Sequence, residues 1–185
     1  MSIESRLGRP PLLLTRLAMF VALGLVAGVA LSGIPNVELV TAICFIAGFM
    51  LGPGGGLLTG GLTEALFAGF NPMGSSLGLV LVAQVIGMAA AGLAGSLAAF
   101  LVRGREKGTW YASVMVGLGI VATLFFDLIT NLAFPVMAGF SVSEMWVTLA
   151  AGVPFALIHL ISNTLVFLII VVPFVPRLER ALKVS

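Results

Sequence analysis

Residues 39–70 read LVTAICFIAGFMLGPGGGLLTGGLTEALFAGF, and how this stretch is divided decides the fold. It is apolar on both sides of Gly52-Pro53-Gly54-Gly55-Gly56, a run that breaks helical continuity and reads as a tight turn at the membrane surface. A bilayer core about 30 Å thick needs roughly 20 apolar residues at 1.5 Å each, or fewer where neighbours shield a short helix. Read as two short spans, about 39–52 and 57–70, the stretch crosses and returns. Read as one long kinked span, it crosses once.

Working outward, the same ruler places further spans at about 12–32, 77–102, 110–134 and 147–173. The nine Lys and Arg residues fall in three groups: Arg6, Arg9 and Arg16; Arg103, Arg105 and Lys107; Arg177, Arg180 and Lys183. Six spans put all three groups on one side, which the positive-inside rule makes the cytoplasm; five would scatter them. The opposite loops, about 33–38, 71–76 and 135–146, contain no Lys or Arg. The expected fold is therefore all-α: a polytopic membrane protein of six transmembrane helices, N- and C-termini cytoplasmic, with residues 1–185 forming a single domain.

Composition agrees, since 60% hydrophobic against 9% charged residues is far from the balance of a soluble fold. The net charge of +2 marks topology rather than a nucleic-acid partner. The single cysteine, Cys44, excludes an internal disulfide or a multi-cysteine metal site and reads as a packing residue. The opening MSIESRLGRPPLLLTRLAMF is read as a retained first helix, and the closing PRLERALKVS as a small interfacial helix or a frayed end.

An acid near the centre of a spanning helix costs about 2.5–3.5 kcal/mol on insertion scales, so it must face protein, water or ligand. Glu64 in the third span and Asp127 in the fifth both fall roughly 10–12 Å below the outer surface. Gln84 in the fourth span and Asn131, one turn above Asp127, lie near the same level. His159 and Asn163, four apart in the sixth, share a face somewhat deeper. Together they outline a polar layer drawn from four helices. The outer loops IPNVE and NPMGSS add Asn36, Glu38, Asn71, Ser75 and Ser76 as roof groups.

Each of these has a plainer reading. Gln84 and Asn163 suit simple interhelical hydrogen bonds, His159 a satisfied core histidine, and Asp127 and Glu64 a pair sharing a proton or held by His159. The small-residue patterns Ala18-Met-Phe-Val-Ala22 and Gly24-Leu-Val-Ala-Gly28 permit close helix approach, within this chain or to another. Gly87, Ala91, Gly95 and Ala98 recur at helical spacing and read as internal packing. The glycine run at 52–56 lacks the Gly-Lys-Ser/Thr ending of a phosphate-gripping loop.

The whole pattern resembles the substrate-binding S components of energy-coupling factor (ECF) vitamin transporters. Ala18-x-x-x-Ala22 is similar to the family's Ala-x-x-x-Ala contact with the transmembrane T component. PNVELVTAICFIAGFMLGPGGGLLTGGLTEALF is similar to its loop, second helix, turn and third helix, and FFDLITNLAFP and GVPFALIHLISNTLVF to its polar fifth and sixth helices. The resemblance implies capture of a vitamin or related micronutrient from outside, then delivery through a T component driven by two cytoplasmic ATPases. It implies a pocket lined by Gln84, Asp127, Asn131, His159 and Asn163, joined by Glu64, with Asn36 and Asn71 in the loops above, and a coupling face at Ala18 and Ala22. The first outer loop is shorter than the lid of many family members, and Trp146 is the aromatic residue available to stack on a ring.

No Walker motif is present, so ATP hydrolysis would belong to partners, and no cofactor is expected. Two buried acids with few candidate cations suit a donor-rich or cationic ligand better than an acidic one. The competing reading is a stand-alone proton-coupled carrier or channel, in which Glu64 or Asp127 takes up the proton. An intramembrane enzyme is disfavoured: there is no His-Glu-x-x-His or Gly-x-Ser-x-Gly, and one aspartate cannot form a dyad.

Overall fold

The structure, a computed structural model, describes residues 10–183. Arg6 and Arg9 of the first basic group lie outside the described residues. These residues are all-helical: α1 (Pro10–Leu31), α2 (Val40–Gly69), α3 (Gly78–Val102), α4 (Thr109–Met137), α5 (Val142–Val166) and α6 (Val172–Lys183). A π-helical turn, Phe167–Val171, joins α5 to α6. Among the described residues five stretches are long and apolar enough to cross a membrane, the last running unbroken through α5 into α6.

α2 is broken at Gly52, where φ is +79° and ψ is −175°, a backbone state open to glycine alone. Helix resumes at once with Pro53, whose fixed φ and missing N–H suit a first helical position. The expected turn of several residues is thus a single one. The two halves lie side by side: a Cβ on Gly56 would come within 2.6 Å of the Gly48 Cα, although eight residues of continuous helix span about 12 Å. One position on α1 meets both halves, since a Cβ on Gly28 would touch Phe67 at 2.9 Å and Val40 at 3.2 Å.

Glycines let the α2 hairpin and α3 meet backbone to backbone. A Cβ on Gly48 or Gly56 would collide with the Gly92 carbonyl, one on Gly60 with Met88, and one on Gly95 with Phe45. Gly87 faces the Phe126 ring, and Ala91 and Ala98 are buried, so the small-residue spacing of the fourth span is internal packing as expected. The first half of α2 becomes the centre of the bundle, with Val40 to Gly48 buried throughout. Its second half turns Leu57, Leu58, Leu62 and Leu66 outward.

Below this centre lies a dry core that includes Phe45, Met115, Phe167, Val171 and Val175, with Phe45 and Phe167 edge to face at 4.9 Å. Tyr111 belongs to this core at 3% exposure, and Trp110 is half exposed beneath Arg105. A second cluster of Val40, Cys44, Met88, Ala91 and Ala122 holds the cysteine as packing. At the end of the dry core, Lys107 pairs with Glu179 and ties the α3–α4 loop to α6.

The connection between α4 and α5 is shorter than the expected loop at 135–146. α4 runs through Pro135 to Met137, and α5 starts at Val142. Ser141 caps α5 in a reciprocal box: its hydroxyl accepts from the Glu144 N–H at 3.5 Å, and the Glu144 carboxylate accepts from the Ser141 N–H at 2.7 Å. This satisfies first-turn donors that would otherwise lie free near the membrane surface.

Candidate functional site

The ends of the helices remote from the dry core converge on a cavity of about 350 Å³. Its walls come from the last turns of α1, both ends of the α2 hairpin, the first half of α3, the second half of α4 and the middle of α5. Folding α2 back at Gly52 is what delivers Glu38, just before its start, and Glu64, near its end, to one chamber.

Eight of the residues singled out from sequence line this cavity: Asn36, Glu38, Glu64, Asn71, Gln84, Asp127, Asn131 and His159. Asn163 does not. It lies fully buried one turn below, where Nδ2 donates to Thr123 Oγ1 at 3.1 Å and stands 3.0 Å from His159 Nε2. Thr123 in turn donates to the Gly119 carbonyl at 3.0 Å, so the imidazole rests on a short polar stack rooted in the α4 backbone.

His159 is held from above as well. Its Nδ1 is 2.7 Å from Asp127 Oδ1, and its Nε2 is 3.4 Å from Glu38 Oε1. Of the pairings open to the acids, the one formed is Asp127 with His159. Glu64 stays apart: it is 3% exposed and accepts no hydrogen bond among the described residues. Two further acceptors in the walls, Asp127 Oδ2 and Gln84 Oε1, are buried without a partner.

Glu38, read from sequence as a roof group, has two attachments. Oε2 accepts the Thr41 N–H at 2.8 Å, taking up an orphan donor in the first turn of α2, while Oε1 faces His159. Burial pushes its carboxyl up, but the hydrogen bonds and charge of His159, with the bonds from Thr41, outweigh this and hold it below the ordinary 4.5. A lowered folded value means a stabilising contribution fully present above pH 4.5 and lost as pH falls through that lower value. The melting temperature of purified protein should therefore drop below about pH 4.5, and Glu38→Gln should flatten the drop. Identical pH profiles for the two proteins would contradict the assignment.

The remaining walls are loop and aromatic groups. Asn36 adopts φ +57°, a left-handed state that asparagine tolerates, and Asn71 Oδ1 accepts the Met73 N–H at 2.8 Å to fix its own turn. Asn131 sits against the α5 backbone, leaving 3.0 Å between its Oδ1 and a Cβ placed on Gly152. Phe67, Phe126 and Phe155 supply flat apolar surface. Trp146, expected as a stacking residue, is 69% exposed and outside the cavity, because the early start of α5 carries it to the rim. Ser75 and Ser76 are also outside the lining.

On α1 the two small-residue patterns separate. Gly24 and Gly28 are buried against Thr63 and Phe67, whereas Ala18 and Ala22 are exposed beside Met19, Leu23 and Val26. The inner pattern packs within the chain and the outer one faces away from it.

A family model described as ECF transporter, substrate-specific component, matches residues 12–171. The chain belongs to that family. It is the substrate-specific, or S, component of an ECF transporter, a multi-pass membrane subunit that binds cargo rather than transforming it. The match runs from the start of α1 through the π turn and so takes in every wall of the cavity and both faces of α1. Compared with curated proteins and with solved structures, the S component matches none.

Proposed function

We propose that this S component captures a vitamin-like micronutrient from outside a prokaryotic plasma membrane and passes it on through a T component driven by two cytoplasmic ATPases. In this reading the α2 hairpin counts as two crossings, giving six spans. What supports it is that α1 starts and α6 ends remote from the cavity, on the same side as Arg103, Arg105 and Lys107. The basic residues make that side cytoplasmic, so the cavity opens outward. Glu64, Gln84, Asp127, Asn131, His159, Asn36 and Asn71 contact the cargo, and Asn163 holds His159 in place from below.

The observation that carries the proposal is one polar cavity at the end opposite the basic loops, in a chain of this family. Ala18 and Ala22, exposed on α1, form the docking strip for the T component. Small residues there let two helix backbones approach closely, and such packing is one source of helix affinity within lipid. Phenylalanine at both positions should abolish ATP-driven uptake in vesicles holding the T component and ATPases, while ligand affinity in detergent stays within about twofold. Unchanged uptake would remove the docking assignment, and uptake by vesicles containing this chain alone would favour the self-sufficient carrier.

A further inference from the structure

We propose that the cargo is a small organic cation bearing hydrogen-bond donors on a flat apolar frame, with Glu64 as its main counter-charge. This deepens the reading of the chain as a cargo-binding subunit and rests on it.

Among the described residues, three carboxyl groups, those of Glu38, Glu64 and Asp127, line the cavity with one imidazole and no Lys or Arg. Glu38 and Asp127 share His159 between them, which leaves Glu64 without a partner at 3% exposure. Among the described residues no Lys or Arg lines the cavity beside it. Arg103, Arg105 and Lys107 lie in the α3–α4 loop, Arg177, Arg180 and Lys183 in α6, and Arg16 about three helical turns from Gly28 at the cavity wall. An ionised carboxylate buried without a partner costs several kcal/mol. A cationic ligand offsets the cost of ionising Glu64 on binding; an anionic one gives no such compensation.

The unpaired wall atoms agree in kind. Asp127 Oδ2 and Gln84 Oε1 are both acceptors, so the ligand group opposite them must donate. Phe67, Phe126 and Phe155 give the faces on which a flat cation is attracted by about 0.5–2 kcal/mol. The acids are not gathered as a metal-ligand set among the described residues, which points to an organic cation. A volume of about 350 Å³ is at the small end of ligand pockets, roughly 300–1,000 Å³, and suits a compound of one or two rings.

Benzamidine, benzamide and benzoate share one flat frame and differ in charge. In thermal-shift titrations of the purified protein, benzamidine should stabilise with a half-saturating concentration at least tenfold below that of benzamide, and benzoate should not stabilise. Glu64→Gln should remove most of that preference, and Asp127→Asn should reduce it. Equal shifts from all three probes, a larger shift from benzoate, or no shift from any would overturn the proposal. Mass spectrometry of compounds released from the purified protein gives a second reading: a cation supports it. A stoichiometric anion would overturn it while leaving ATP-driven uptake, and so the S-component reading, intact.

Discussion

Gly48→Ala should leave no correctly assembled protein in detergent. The added methyl would lie well inside van der Waals contact with the Gly92 carbonyl oxygen, and both groups belong to helix backbones that cannot swing aside as a side chain can. Gly56 presses on the same carbonyl from the other half of α2, and a Cβ on Gly92 would meet the Gly56 backbone in return, so three helical segments share the crossing. Separating them by the width of a methyl would open the most buried part of the bundle, where overpacking typically costs about 1–3 kcal/mol even when side chains can adjust. Backbone contact removes that adjustment. Aggregation of the variant on size exclusion, beside a monodisperse Gly54→Ala control whose Cβ meets nothing within 4 Å, is the expected result. A monodisperse Gly48→Ala protein with an unaltered melting temperature would show that the helices do not approach so closely.

Asp127→Ala should weaken cargo binding by about 10- to 150-fold, the equivalent of one charge-assisted hydrogen bond of roughly 1.5–3 kcal/mol. The loss has two sources. The ligand forfeits the free Oδ2, and His159 forfeits the 2.7 Å contact that orients its ring. The fold should survive, because the position borders a cavity into which water can follow and solvate the imidazole. Asp127→Asn keeps an acceptor for His159 while discarding the charge, so it should lose less affinity than alanine does. Unchanged affinity in the alanine variant would exclude Asp127 from the site. Collapse of both variants would make the Asp127–His159 pair a structural clamp instead.

Depth was the property most readable in the sequence. Counting 1.5 Å per residue from the outer loops brought Glu64, Gln84, Asp127 and Asn131 to one level, and that level is where the cavity lies. The glycine-proline run announced the break in α2, though not that one residue would suffice, which depends on Pro53 starting the next helix without delay. Pairing was not readable. Nothing in a linear pattern links Glu38 to His159, 121 residues away, and no periodicity tells which carboxylate an imidazole will choose. The start of α5 has a sequence signal of its own: Ser141-Val-Ser-Glu144 is a capping box, and it outweighs the proline at 135 as a boundary signal. Asn163 shares a face with His159, but one further turn sinks it beneath the floor.

The break at Gly52 has a consequence for the lipid. The first half of α2, about a dozen residues, is roughly 18 Å long, well short of a hydrocarbon layer of about 30 Å. A segment exposed with that shortfall would thin the bilayer around it or tilt, and its energy would change with lipid chain length. Here Val40 to Gly48 are enclosed by protein, so no acyl chain registers their length. Hydrophobic matching falls to α1, α3, α4, the second half of α2 and the long α5–α6 stretch, while the short half-helix that leads down from Glu38 is insulated from membrane thickness. The part of the cavity wall that this half-helix carries is thereby shielded from changes in bilayer thickness.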